Sequence, residues 1–148
     1  MKRSTIVLLS GILLSSLCLA KTEYSHDLEK AKKEAAKTSK LILVDFYTTW
    51  CGPCKQMDKE VFQAPEAKAI FKDFIVVKQD CEKEGTKSSQ KYKVSAYPTL
   101  VVINSAGKVV LMTVGGLDQP MMKEFLAEAK KKAAKKTAPK PGSGKKSG

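Results

Sequence analysis

Hydrophobic positions along this chain alternate between helical spacing and short continuous runs. Over residues 24–37, rich in Glu, Lys and Ala, the residues Leu28, Ala31, Ala35 and Ala36 recur near one face, which predicts an amphipathic helix with Ser25 as its cap. Residues 41–47 are apolar apart from Asp45, the pattern of a central strand covered on both faces. A helix is predicted through Lys55, Met57 and Val61; Pro65 kinks or restarts it, and the pattern resumes at Ala67, Ile70 and Phe71. Residues 74–78 read as a second strand, and the polar stretch 82–92 holds a short helix. Residues 99–104 and 108–114 are β-rich and separated by Ser105-Ala106-Gly107, so they pair as an antiparallel hairpin. Gly115-Gly116 ends the hairpin, and Asp118 caps a last helix with Pro120 in its first turn. Its stripe of Met122, Phe125, Leu126 and Ala129 reads as core packing. This order of elements predicts an α/β fold, a central mixed β-sheet flanked by helices on both faces.

The two ends of the chain depart from that pattern. Lys2 and Arg3, the apolar stretch 6–19 and the small residue Ala20 match a secretory signal peptide over residues 1–20, with the domain proper expected over residues 21–129. The apolar run is short for a membrane span. Eight of the basic residues lie in residues 129–148 with no acid among them, and Lys2 and Arg3 add two more, so +2 of the net +12 belongs to the segment between. Residues 130–148 are expected to form a basic disordered tail, with the helix running on into it for a turn or two. Such a tail is a solvated charge run, a weak tether to an anionic membrane or an appendage without a role; with no aromatic residues between the lysines, nucleic acid is not an expected partner.

The candidate chemistry lies in Trp50-Cys51-Gly52-Pro53-Cys54, directly after the 41–47 run. If a helix begins at Cys51, Pro53 sits in its first turn, where a missing N–H costs nothing. The positive end of the helix dipole then favours a Cys51 thiolate, the attacking species in disulfide exchange, and Cys54 one turn on can resolve the mixed disulfide. As a purely structural crosslink the pair would close too small a loop to be a good staple. As half of a zinc site it lacks partners, since only Cys81 and His26 remain and neither has ligand spacing. No metal and no cofactor beyond the redox-active Cys51–Cys54 pair is therefore expected. Cys81 is either a buried small hydrophobe or a spare thiol, and His26 a solvated side chain. Asp45 either faces solvent on an edge strand or is buried, in which case its raised pKa lets it take a proton from Cys54. Pro98 opens a strand, a position that asks for a reason. Trp50 belongs either to the core or to an exposed aromatic rim.

Four features in order resemble the thioredoxin superfamily: Ile42-Leu43-Val44-Asp45-Phe46 followed by Trp50 to Lys55; Val76-Val77-Lys78; Tyr97-Pro98-Thr99; and Gly115. The resemblance covers roughly residues 39–127 and implies the thioredoxin fold. It implies that Lys78 lies near the Asp45 carboxylate and tunes it, and that Tyr97–Pro98 is a cis bond facing the cysteines. It also implies a substrate surface of Trp50, Gly52, Pro53, Tyr97, Pro98, Thr99 and Gly115. The direct passage from first helix to the Asp45 strand, with Tyr47 and the 55–62 helix, is similar to exported members such as the soluble domain of the membrane electron-transfer reductase.

The expected activity is an exported, most simply periplasmic, monomeric protein-disulfide oxidoreductase. Cys51 and Cys54 are its catalytic thiols and Asp45 and Lys78 assist them. Its partners are disulfide-containing client proteins and a membrane electron-donor protein. The Gly-Pro dipeptide resembles reducing members, which sit near about −270 mV. A disulfide oxidase or isomerase on the same fold, or a non-catalytic binder of a partner or soft metal, are the competing readings.

Overall fold

The computed structural model describes residues 22–137. The signal peptide expected over residues 1–20 and the last part of the basic tail, residues 138–148, lie outside the described residues. In chain order the elements are α1 (Leu28–Thr38), β1 (Leu41–Tyr47), α2 (Gly52–Met57), a π-helical turn (Asp58–Phe62), α3 (Ala67–Phe71), β2 (Phe74–Asp80), α4 (Thr86–Lys91), β3 (Thr99–Ile103), β4 (Val109–Val114) and α5 (Gln119–Thr137).

The strands form a four-stranded sheet in the order β2-β1-β3-β4. β1 pairs parallel with β2 and antiparallel with β3, and β3 pairs antiparallel with β4. The apolar run of β1, broken only by Asp45, is thus explained: it is an inner strand with a packed layer on each side. Because alternate side chains point to opposite faces, Leu43 joins Val76, Leu100 and Val102 under α2, α3 and α5, with Phe62, Phe71, Met122 and Leu126 as the covering residues. Ile42, Val44 and Phe46 join Val77 and Val101 on the other face, beneath Ala31 and Ala35 of α1 and Tyr92 beside α4. Asp45 shares the Leu43 face and is therefore aimed toward α2.

The element boundaries differ from the sequence expectation in four places. Asp27, not Ser25, caps α1, its side chain accepting from Lys30 N at 2.8 Å. Ser25 cannot start a helix because its carbonyl accepts from Lys78 N at 2.9 Å, forming an isolated parallel bridge beside β2. β2 runs two residues beyond Lys78, since Gln79 and Asp80 pair with Phe46 and Tyr47. The helix after the cysteines ends in a π-turn at Phe62, ahead of Pro65, and α3 restarts it at Ala67. Last, α5 continues through Thr137, about the two turns past Ala129 that the sequence allows, so the boundary at residue 129 moves into the lysine-rich segment. Lys130 reaches Asp73 at 2.7 Å, and Lys132 meets Glu128 one turn back at 2.8 Å. Asp118 does cap this helix, accepting from Met121 N at 2.8 Å.

Candidate active site

β1 delivers the chain to the site, and the residues after Tyr47 turn back into α2. Cys51 is the N-cap of α2: its backbone is extended, Pro53 lies in the first turn, and its sulfur accepts from Cys54 N at 3.2 Å. Cys51 and Cys54 are joined as a disulfide. Both are buried at 4% exposure, while Gly52 and Pro53 between them are open to solvent.

Behind the disulfide lies a buried charge cluster. Asp45 is 1% exposed, which excludes the solvent-facing alternative. Its Oδ2 accepts from Lys78 Nζ at 2.9 Å, and its Oδ1 is buried with no hydrogen-bond partner. Asp45 and Lys78 are register partners across the parallel β1–β2 ladder, so both side chains emerge on one face at one level. The ammonium also donates to Asp58 Oδ1 at 2.8 Å and lies 4.3 Å from the centre of the Phe62 ring. Burial raises the Asp45 pKa above the ordinary carboxylate value; Lys78 opposes this by charge and hydrogen bond, and the Asp58 charge adds to the rise. Burial works against the Lys78 charge, but the two carboxylates outweigh it and hold that lysine above its ordinary pKa.

Asp58 is not among the residues the sequence pattern singled out. Its spacing was nevertheless a signal, because Cys54 and Asp58 stand four apart on one helical stretch and so share a face. Asp58 N bonds to the carbonyls of both Cys54 and Lys55, where the α-helix widens into the π-turn. A cavity of about 460 Å³ reaches this cluster from solvent, with Cys54, Asp58, Lys78, Tyr47 and Thr48 among its lining residues. The Thr48 hydroxyl is buried without a partner as well.

On the other side of the disulfide stands an aromatic rim. Trp50 is 66% exposed, settling the choice in favour of the rim, and its Nε1 donates to Glu82 Oε1 at 3.0 Å. Its ring meets Tyr97 edge-on at 6.1 Å. The Tyr97–Pro98 bond is cis and opens β3, whose first residue, Thr99, pairs with Phe46 near the end of β1. Pro98 therefore stands at the same sheet end as the cysteines. Gly115, at φ +105°, donates its N–H to the Pro98 carbonyl at 2.8 Å. Such a φ belongs to glycine. Within the expected substrate surface the Thr99 side chain is fully buried and donates to Ala96 O at 2.7 Å, so it shapes the turn before β3.

Cys81 is buried at the end of β2, and burial pushes its thiol pKa up, with Tyr97 and Ser89 hydrogen bonds acting in the opposite sense. His26 is more than a solvated side chain: Nδ1 lies 2.9 Å from Lys78 O and 3.3 Å from Glu84 Oε1, both acceptors, so Nδ1 carries the proton. Among the described residues, no group of three or more His, Cys, Asp or Glu side chains is gathered to hold a metal.

Comparison with known proteins places this arrangement. The thioredoxin family profile matches residues 17–128. Thioredoxin-1 of Drosophila melanogaster is 33% identical over 97 residues, covering 66% of this chain and 86% of that protein. Thioredoxin-1 of Saccharomyces cerevisiae is 38% identical over 99 residues, covering 64% and 87% respectively. Among solved structures, thioredoxin NaTrxh from Nicotiana alata superposes with a TM-score of 0.55 at 32% identity, over 74% of this chain and 97% of that one.

Proposed function

The chain belongs to the thioredoxin family and is a protein-disulfide oxidoreductase built on Cys51 and Cys54, and from that premise we propose that it works in an exported compartment as a reductase of client-protein disulfides. The observation that carries the mechanism is the buried Asp45 carboxyl, held by Lys78 on the α2 side of the sheet.

The reduced enzyme attacks with the Cys51 thiolate. A bond forms between Cys51 Sγ and one client sulfur, the client S–S bond breaks, and the released client thiolate takes a proton from solvent. Cys54 then gives its proton to Asp45 and attacks Cys51 Sγ. The mixed disulfide breaks, the second client thiolate leaves and is protonated, and the enzyme holds the Cys51–Cys54 disulfide. Two electrons pass to the client. Asp45 suits the proton step because burial makes it a stronger base than an exposed carboxylate, and Lys78 keeps the charged form tolerable. Trp50, Tyr97 and the backbone around Pro98 and Gly115 form the surface on which an extended client segment lies.

The Gly-Pro dipeptide and the exported character of the N-terminal sequence support a reductase recharged by a membrane electron-donor protein. The protein acts as a monomer, and the lysines beyond residue 129 supply at most a weak contact with anionic membrane. Two measurements test this. Insulin reduction by the reduced protein, lost in a folded Cys51→Ala variant, distinguishes an enzyme from a binder. Equilibration with glutathione buffers gives the potential of the couple. A value near about −270 mV supports the reductase, and one near about −120 mV makes the protein a disulfide donor.

A further inference from the structure

The segment ahead of α1, residues 22–26, touches the charge cluster from two directions. On β2, Ser25 O accepts from Lys78 N at 2.9 Å and His26 Nδ1 donates to Lys78 O at 2.9 Å, so both backbone polar groups of Lys78 are engaged. Gln79 Nε2 also donates to His26 O, at 2.6 Å. On the π-turn, the Tyr24 hydroxyl donates to Phe62 O at 2.7 Å, and its ring meets Phe62 edge-on at 5.6 Å. The Gln63 side chain clamps Thr22 at both backbone groups, accepting from its N–H at 3.1 Å and donating to its carbonyl at 3.0 Å.

These contacts matter because of what the π-turn carries. Its first residue is Asp58, on the Lys78 ammonium, and its last is Phe62, whose ring lies under that same ammonium. A π-turn is a rare local widening of the helix that accommodates an extra residue, frequent at functional sites. The segment ties its end at Phe62 and Gln63 while holding Lys78 in place from the strand side. It also forms one wall of the cavity beside Cys54.

We propose that residues 22–26 are a brace belonging to the proton-transfer apparatus: by tying the π-turn to β2 they make Asp58 share the Lys78 ammonium with Asp45, and so govern how Asp45 takes up and returns the Cys54 proton. Tyr24 and Gln63 are its positioning residues. The role in turnover rests on the reductase reading above, whereas the brace itself is measurable without turnover. Asp58 meets the Asp45–Lys78 pair directly, and the other titratable or charged groups lining the cavity beside Lys78 are Lys55 from the helix side, Tyr47 from β1, and Glu23, Tyr24 and His26 from the brace. Burial, with the Asp58 charge adding to it, pushes the Tyr24 pKa up to about 12, so that hydroxyl stays a donor across the working range.

If the brace is loosened, Asp58 withdraws, Lys78 pairs with Asp45 alone, and the Asp45 carboxylate is favoured. The test is the Asp45 titration, followed by carboxyl-carbon NMR in the oxidised full chain. Asp58→Asn is expected to lower the midpoint by on the order of one pH unit. Tyr24→Phe with Gln63→Ala is expected to lower it in the same direction by a smaller amount, and to add nothing when Asp58 is already Asn. A wild-type midpoint in the brace variant, or a shift that adds in full to that of Asp58→Asn, overturns the proposal. Should the double variant not fold, Tyr24→Phe alone, which removes one oxygen and keeps the ring contacts, carries the same comparison. Absence of insulin reduction by the wild-type protein would strike the reductase reading and leave these midpoints, and the brace, untouched.

Discussion

Replacing Asp45 by Asn should make the protein more stable and less active at once. The stability argument starts from the ionised carboxylate, which is 1% exposed and has an Oδ1 without any partner. Asn leaves one polar atom just as unpaired but carries no charge, and it is the charge whose desolvation raises the Asp45 pKa. Against this stands the weakening of the 2.9 Å bond to Lys78. Stripping one partner from a buried ion pair usually costs about 3–5 kcal/mol, because the other charge is stranded. Here it is not stranded, since Asp58 remains 2.8 Å from the same ammonium. The Asn oxygen can still accept from Lys78, so the balance favours Asn by about 1–2 kcal/mol at pH 7, which raises the melting temperature by about 4–8 °C per kcal/mol.

The sign of the pH dependence follows from the direction of the shift. The folded Asp45 pKa lies above its unfolded value, so the folded state holds this proton more tightly. The wild-type protein is penalised least below the unfolded carboxylate pKa of about 3.9, and the penalty grows as pH rises through the folded pKa. The gain from Asn should therefore be larger at pH 8 than at pH 3, where it vanishes. Urea titrations of the oxidised proteins at both pH values measure it. In parallel, resolution of the mixed disulfide should slow by about 10²–10⁴-fold, the usual contribution of a positioned base. A variant less stable than wild type at pH 8, or one with an equal gain at pH 3, refutes the argument that the carboxylate is buried at a cost.

Two further outcomes follow from local geometry. Gly85→Ala should destabilise by about 1–3 kcal/mol, as an overpacked site does: φ there is ordinary, but a Cβ would stand 2.7 Å from the Asp80 carbonyl oxygen. A thermal melt equal to wild type would show that this turn opens freely. Cys81, buried and with its pKa pushed up, should resist iodoacetamide at pH 8 in the folded oxidised protein and react once urea unfolds it. Rapid labelling of the native protein would contradict that burial.

Much of this fold could be read from the chain because its strongest signals are local. The apolar run of β1 has no other good solution than an inner strand, and Pro53 and Asp118 mark helix starts by rules that act within one turn. What escaped notice depends on partners distant in sequence. Ser25 is as good a cap as Asp27 until β2 takes its carbonyl. The π-turn looks like ordinary helix until Tyr24 and Gln63 are seen to hold it. Thr99 follows the cis proline, next to residues expected at the client surface, but it opens an inner strand whose residues are all buried, a property set by β1 and β4 on either side. The lysines after Ala129 lack an apolar stripe, and Lys130 finds its partner Asp73 far back in the chain.

The place of β1 in the sheet has a consequence for how the molecule comes together. β3 and β4 are neighbours in sequence and can zip from the Asn104 turn outward. β1 has no such local partner: Leu41 waits for Phe74 and Ile42 for Ile103. Each pairing must first meet the entropy of closing a long loop. The strand that carries Asp45 is thus recruited through contacts far longer in sequence than those of the β3–β4 hairpin. Until β3 has joined it, a nascent chain presents two thiols with no Tyr97–Pro98 edge beside them and no finished groove in which to choose a client.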